Sequence, residues 1–144
     1  TLLAAAGLVR LGQSGVGHPL PAERWLPAPA QGAIGIECLT ARHDVRCWLA
    51  AIDHAPTHAA VRAERALLLA LGGNCHSPIA LHTRTDGDEL TLRAALFSPD
   101  GALRVEATER FSAGDDAAPA RLADRLLAQA PDGIRAHFHG TALH

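Results

Sequence analysis

The sequence predicts an α+β fold: a three-stranded antiparallel sheet covered by helices, preceded by an incomplete α/β segment. After Pro78 the apolar period changes from 3.6 to 2, and it holds through three short runs separated by Gly-containing turns. On either side lie helical stripes, at 57–71 and 116–130, which cover the apolar face that such alternation creates. The first third of the chain, by contrast, offers one strand of buried type and no partner for it.

Taken in order, residues 2–11, LLAAAGLVRL, are good helix formers interrupted by Gly7, with Arg10 and Gly12 near the end. Residues 12–30 are punctuated by Gly and Pro and read as connecting chain. Residues 33–39, AIGIECL, read as a short buried strand, where Gly32 and Gly35 suggest close approach of another backbone or a ligand. Helices near 41–52 and 57–71 follow. In the second, Ala60, Ala63, Leu67, Ala70 and Leu71 share one stripe, Arg62 and Arg65 lie on a solvated face, and Gly72-Gly73 is the stop.

The strands come next. Ile79, Leu81 and Thr83 fall at every second position before Asp86-Gly87. Leu90, Leu92, Ala94 and Leu96 do so before Pro99-Asp100-Gly101, and Leu103, Val105 and Ala107 complete the meander. The last helix has Asp115 or Asp116 as its expected N-cap, Pro119 in its first turn, and Leu122, Ala123, Leu126 and Ala130 facing inward. Residues 53–144 thus read as a self-sufficient unit, and residues 1–52 as the end of a larger α/β body. Thr1 begins directly in a helical pattern, as though cut from a longer chain.

The 144 residues are 48% hydrophobic with a net charge of −2, which gives no electrostatic reason for binding nucleic acid or an anionic membrane. Two Trp, three Phe and no Tyr leave little for a base-stacking platform. No apolar run reaches the roughly 18 residues of a membrane span. Cysteines at 38, 47 and 75 are odd in number and widely spaced, which argues against a disulfide framework and for a reduced, cytoplasmic setting. Nine histidines invite a metal reading, but no CxxC or HxxxH spacing joins Cys38, Cys47, Cys75 and His76, and no metal site is expected. The pair His137 and His139 reads as an exposed tail.

Chemistry concentrates in Leu71-Gly72-Gly73-Asn74-Cys75-His76-Ser77-Pro78-Ile79, where a cysteine sits between a helix stop and a strand start. Such a loop presents a side chain outward from two rigid supports, and a thiolate is the best side-chain nucleophile at neutral pH. The residues alone leave two readings open. Cys75 is either a nucleophile or a small buried hydrophobe, the latter in a non-catalytic ligand-binding or regulatory α+β module.

This run resembles the cofactor-attachment loop of porphobilinogen deaminases, Gly-Gly-Cys followed by two variable residues, Pro and an aliphatic. Asn74 replaces the second Gly, and since Asn follows Gly in tolerance of positive φ, a left-handed Asn74 is expected. Three further segments carry the resemblance. Leu3 to Gly12 is similar to the family's LAxAGLxRLG, and Leu26 to Glu37 to its LPAxGQGAxGIE, with Ala30 in place of a Gly. Ala63-Glu64-Arg65-Ala66 matches an AERA element.

The resemblance implies a three-domain, cytoplasmic, monomeric enzyme. Residues 1–29 would be the tail of the second α/β domain and a connection. Residues 30–52 would be the return strand and helix of the first, and 53–144 the C-terminal cofactor-carrying domain. It implies a dipyrromethane linked through a thioether to Cys75, and condensation of four porphobilinogen molecules into hydroxymethylbilane with release of ammonia. Arg10 matches a carboxylate-binding arginine; its alternative is to stabilise a helix dipole. Ala4, Gly7, Gln31 and Gly32 match cofactor-lining positions, Gly32 equally readable as a plain turn. Glu64 is expected to pair with a neighbouring segment. No catalytic residue maps here, since the family's catalytic Asp lies in the missing N-terminal domain; Asp44, Asp53 and Asp86 do not fit its motif. The partners implied are porphobilinogen, oligopyrrole intermediates and the missing domains, and this chain alone is expected to be inactive, with a free thiol at Cys75.

Overall fold

The structure is a computed structural model that describes residues 1–138; His139 lies outside them. Strands β1 (Ile79–Asp86), β2 (Glu89–Phe97) and β3 (Arg104–Ser112) form one antiparallel sheet in the order β1-β2-β3. The register puts Leu81 opposite Ala94 and Ala94 opposite Ala107, so the alternating apolar residues share one face. Gly87 is the first of two hairpin residues between β1 and β2 and has φ 58°, a left-handed value that favours glycine there. The second connection closes on Ser98 and Asp100. The Ser98 hydroxyl donates to Asp100 (2.5 Å) and accepts from Leu103 N–H (2.9 Å).

Helices α3 (Ala55–Ala70) and α4 (Ala118–Gln129) cover the apolar face, α3 over β1 and β2 and α4 over β3. Leu67, Leu71, Leu81, Leu92, Leu96, Leu122 and Leu126 are completely enclosed. Each contributes about 1.5–3 kcal/mol by leaving water. The expected inward residues of both helices are buried or half-buried. A short helix, α5 (Asp132–Arg135), adds Ile134 and is followed by buried Phe138. Every buried apolar residue among those described lies between Ala63 and Phe138.

The opposite face of the sheet is polar. Glu106 there pairs with both Arg93 and Arg104, and Arg110 with Glu89. The Arg93 hydrogen bond, first, and then the charges of Arg104 and Arg93 hold the Glu106 carboxyl below its usual range.

Residues 1–52 carry α1 (Ala5–Arg10) and α2 (His43–Ile52) and no strand. The expected strand at 33–39 is unpaired, with Ile34 90% exposed. A strand exists only by hydrogen bonding to another, and the sheet's near edge is occupied: Leu81 N–H donates to Pro27 C=O (2.8 Å). The helix cap also differs from expectation. Ala117 is the N-cap of α4, already helical in backbone, while Asp115 accepts from Ala117 N–H (3.2 Å) and pairs with Arg121 (2.8 Å). Except for Leu69 and Leu103, all large apolar side chains left exposed among the described residues lie before residue 53.

Candidate functional site

Helix α3 ends in a Schellman motif. Gly73 N–H reaches back to Leu68 C=O and Gly72 N–H to Leu69 C=O (both 2.9 Å), with Gly72 left-handed at φ 65°. Gly73 is needed for a different reason. A Cβ there would fall 2.5 Å from Leu68 Cδ1, 3.2 Å from Ser77 Oγ and 3.3 Å from Leu68 O.

Asn74 is not left-handed, contrary to expectation; Ala30 is the one non-glycine residue with positive φ among those described. Asn74 braces the loop through its side chain instead. Its Oδ1 accepts from His76 N–H (2.8 Å), and its N–H donates to Ser77 Oγ (2.9 Å). Ser77 N–H returns to Asn74 C=O at 3.1 Å. Asn makes such local bonds readily, and they close the turn without positive φ. Cys75 sits at the tip of this closed ring, exposed and free. With enclosed Leu71 before it and buried Ile79 after it, both ends of the loop are anchored in the core. The buried reading of Cys75 does not hold. Cys38 is half-buried and Cys47 exposed on α2, neither in such a loop.

The other predicted positions fall in residues 1–52. Ala4 is the N-cap of α1, Gly7 N–H donates to Ala4 C=O (3.0 Å), and Arg10 closes the helix. Spaced by three, these residues follow one side of the helix. Arg10 is exposed and makes no ion pair among the described residues. Gln31 and Gly32 form a tight turn. Gln31 Oε1 accepts from Ala28 N–H (2.9 Å), and Gly32 has φ 84°. No protein atom lies within 4 Å of a Cβ built on Gly32 or Gly35, so neither glycine admits a neighbouring backbone; the positive φ explains Gly32. No hydrogen bond or ion pair among the described residues joins α1 or the Gln31 side chain to the Cys75 loop.

Glu64 links the two parts of the chain. Buried on α3, it accepts from Ala30 N–H (2.7 Å) and from Thr83 N–H on β1 (3.2 Å). The expected pairing with a neighbouring segment is met through backbone amides. Sequence reasoning missed one further tie, Arg93 donating to Glu23 C=O. An arginine on an alternating polar face carries no signal for a backbone acceptor so far away in sequence.

Two family models match the chain. Residues 1–47 match porphobilinogen deaminase, dipyromethane cofactor binding domain, and residues 58–128 match porphobilinogen deaminase, C-terminal domain. The chain belongs to the porphobilinogen deaminase family. It is 51% identical over 139 residues to the porphobilinogen deaminase of Sphingopyxis alaskensis, covering 96% of this chain and 44% of that protein. With that of Ralstonia nicotianae it is 48% identical over 132 residues, 88% of this chain and 40% of the relative. With that of Bordetella parapertussis the identity is 46% over 144 residues, 98% and 46%. The chain therefore spans less than half the length of these relatives. Ala4, Gly7, Arg10, Gln31 and Gly32 fall within the match to the cofactor-binding domain, and Cys75 within the C-terminal one. No helix among the described residues is long and apolar enough to cross a membrane.

Proposed function

We propose that the chain is part of a hydroxymethylbilane synthase in which Cys75 carries a dipyrromethane through a thioether. The observation that carries this reading is the exposure of Cys75 on a loop braced at both ends, in a chain of this family. An exposed sulfur with pinned neighbours accepts a two-ring adduct without disturbing the core, and a soft thiolate bonds readily to electrophilic carbon. The other residues suit the group's acetates and propionates. Arg10, free of ion pairs among the described residues, takes a carboxylate by two parallel hydrogen bonds. Ala4 and Gly7 leave the same side of α1 open for a flat ring, and the Gln31-Gly32 turn lines the cofactor. When bound, the dipyrromethane supplies the free pyrrole end to which substrate units are added.

The reaction in this reading condenses four porphobilinogen molecules head to tail with loss of four ammonia molecules, and one water then cleaves the bond to the cofactor and frees the linear tetrapyrrole with a terminal hydroxymethyl group. The substrate and oligopyrrole intermediates are the partners, and the whole protein works as a cytoplasmic monomer. Cys75 is an attachment point rather than an acid or base, and no carboxylate of this chain is assigned to proton transfer. The 144-residue chain alone therefore neither assembles the cofactor nor turns over porphobilinogen. Protein extended at its N-terminus to the length of its relatives is expected to show a two-pyrrole mass addition on Cys75 and colour with Ehrlich's reagent, both abolished by Cys75→Ser. An unmodified, unreactive Cys75 in that protein favours the non-catalytic module, and ammonia release by the 144-residue chain refutes its inactivity.

A further inference from the structure

Glu64 is the only buried ionisable side chain among the described residues, 8% exposed, and no arginine or histidine there pairs with it. A buried charge is costly unless its oxygens are hydrogen-bonded. Its two oxygens each accept a backbone N–H from a different segment, Oε2 from Ala30 and Oε1 from Thr83. A carboxylate has two acceptor oxygens and no donor, so each amide meets an oxygen of its own. Both amides bear on the site. Ala30 precedes Gln31-Gly32 and is itself left-handed at φ 57°, a conformation that a non-glycine residue holds only when its surroundings impose it. Thr83 lies on β1, the strand that anchors the far end of the Cys75 loop, while α3, which carries Glu64, anchors the near end.

We propose that Glu64 is a positioning residue that latches the Gln31-Gly32 turn onto the unit bearing Cys75, holding a cofactor-lining segment in register with the attachment sulfur. The role in catalysis rests on the functional reading above; the latch itself does not. Glu64→Ala removes both acceptors. Glu64→Gln keeps one oxygen but turns an NH2 group against the other amide.

Hydrogen exchange of the 144-residue chain reads the latch directly. Exchange at Ala30 is expected to accelerate about tenfold in E64A, the worth of a hydrogen bond to a charged acceptor. In E64Q it should accelerate at Ala30 or at Thr83 but not at both, with Leu92 and Leu96 on the central strand unchanged. Unchanged exchange at Ala30 and Thr83 overturns the proposal. So does uniform acceleration that includes Leu92 and Leu96, which is the mark of a merely structural role; if E64A does not fold, E64Q decides by the same criteria. In the N-terminally extended protein, E64Q is expected to keep the mass addition on Cys75 while kcat falls about tenfold with KM unchanged, because small misplacement near reacting groups is costly. An adduct retained with unchanged kcat overturns the catalytic role of the latch. Absence of the adduct from the unsubstituted protein instead overturns the functional reading, and the exchange result still decides the latch.

Discussion

Three small residues set the site's backbone, and each tolerates substitution differently. Gly32, at φ 84° in open space, resists only the conformational penalty. Gly32→Ala should lower stability by about 1–2 kcal/mol, read as a fall in urea midpoint with unchanged slope. Ala30 already bears that penalty at φ 57°. Ala30→Gly relieves it but gives the unfolded chain about 0.4–1 kcal/mol of added freedom, so its midpoint should hold or rise. At Gly73, where a Cβ would meet the Leu68 carbonyl at 3.3 Å, Ala should cost about 1–3 kcal/mol through overpacking. Of these details the sequence disclosed the glycines and the substituted position 30. It did not disclose that Asn74 acts through its side chain, because Asn suits both a left-handed turn and a side-chain-closed one, and only coordinates distinguish them.

Among the elements, β1, β2, β3, α3 and α4 were legible because each has an apolar face of fixed period buried against a neighbour. Helix α5 was not, since four residues are too few to display a period. Residues 33–39 differ in another way: their composition is that of a buried strand, but composition supplies no hydrogen-bonding partner, and the segment is unpaired, as expected of a strand whose neighbours this chain lacks. The polar face of the sheet adds a pH dependence. The folded state holds the Glu106 carboxyl below its ordinary value near 4.5, chiefly through Arg93. A depressed carboxyl contributes stability that is present above its unfolded pKa and is lost as pH falls through the folded one. Urea midpoints should therefore drop as the pH is lowered below that ordinary value, and Glu106→Gln should flatten this part of the curve. At neutral pH the cost should be no more than about 1 kcal/mol, as the pair is partly solvated.

For the whole molecule, the core occupies residues 63–138 and the exposed apolar side chains cluster before residue 53. Local stability follows buried apolar contact. Limited proteolysis is therefore expected to cut first within residues 1–52 and to leave a resistant remnant that starts near Asp53 and unfolds cooperatively. Equal resistance across the chain contradicts the boundary. That division was visible in the sequence as a self-sufficient periodic pattern beside a segment without a sheet partner. The sequence also carried Glu64 as a residue expected to pair with a neighbouring segment; what stayed hidden was that its partners are the backbone amides of Ala30 and Thr83, which leave no mark in side-chain pattern.

The bond from Leu81 to Pro27 has a further consequence. Proline has no N–H to offer onward, so the chain that lies along β1 presents no ladder to a fourth strand, and the Glu64 carboxylate occupies the next amide along that border. A version trimmed to residues 53–144 would keep Glu64 on Thr83 but expose the Leu81 amide of that border to other molecules. It should keep its fold yet form dimers and larger oligomers at concentrations where the parent chain stays dispersed.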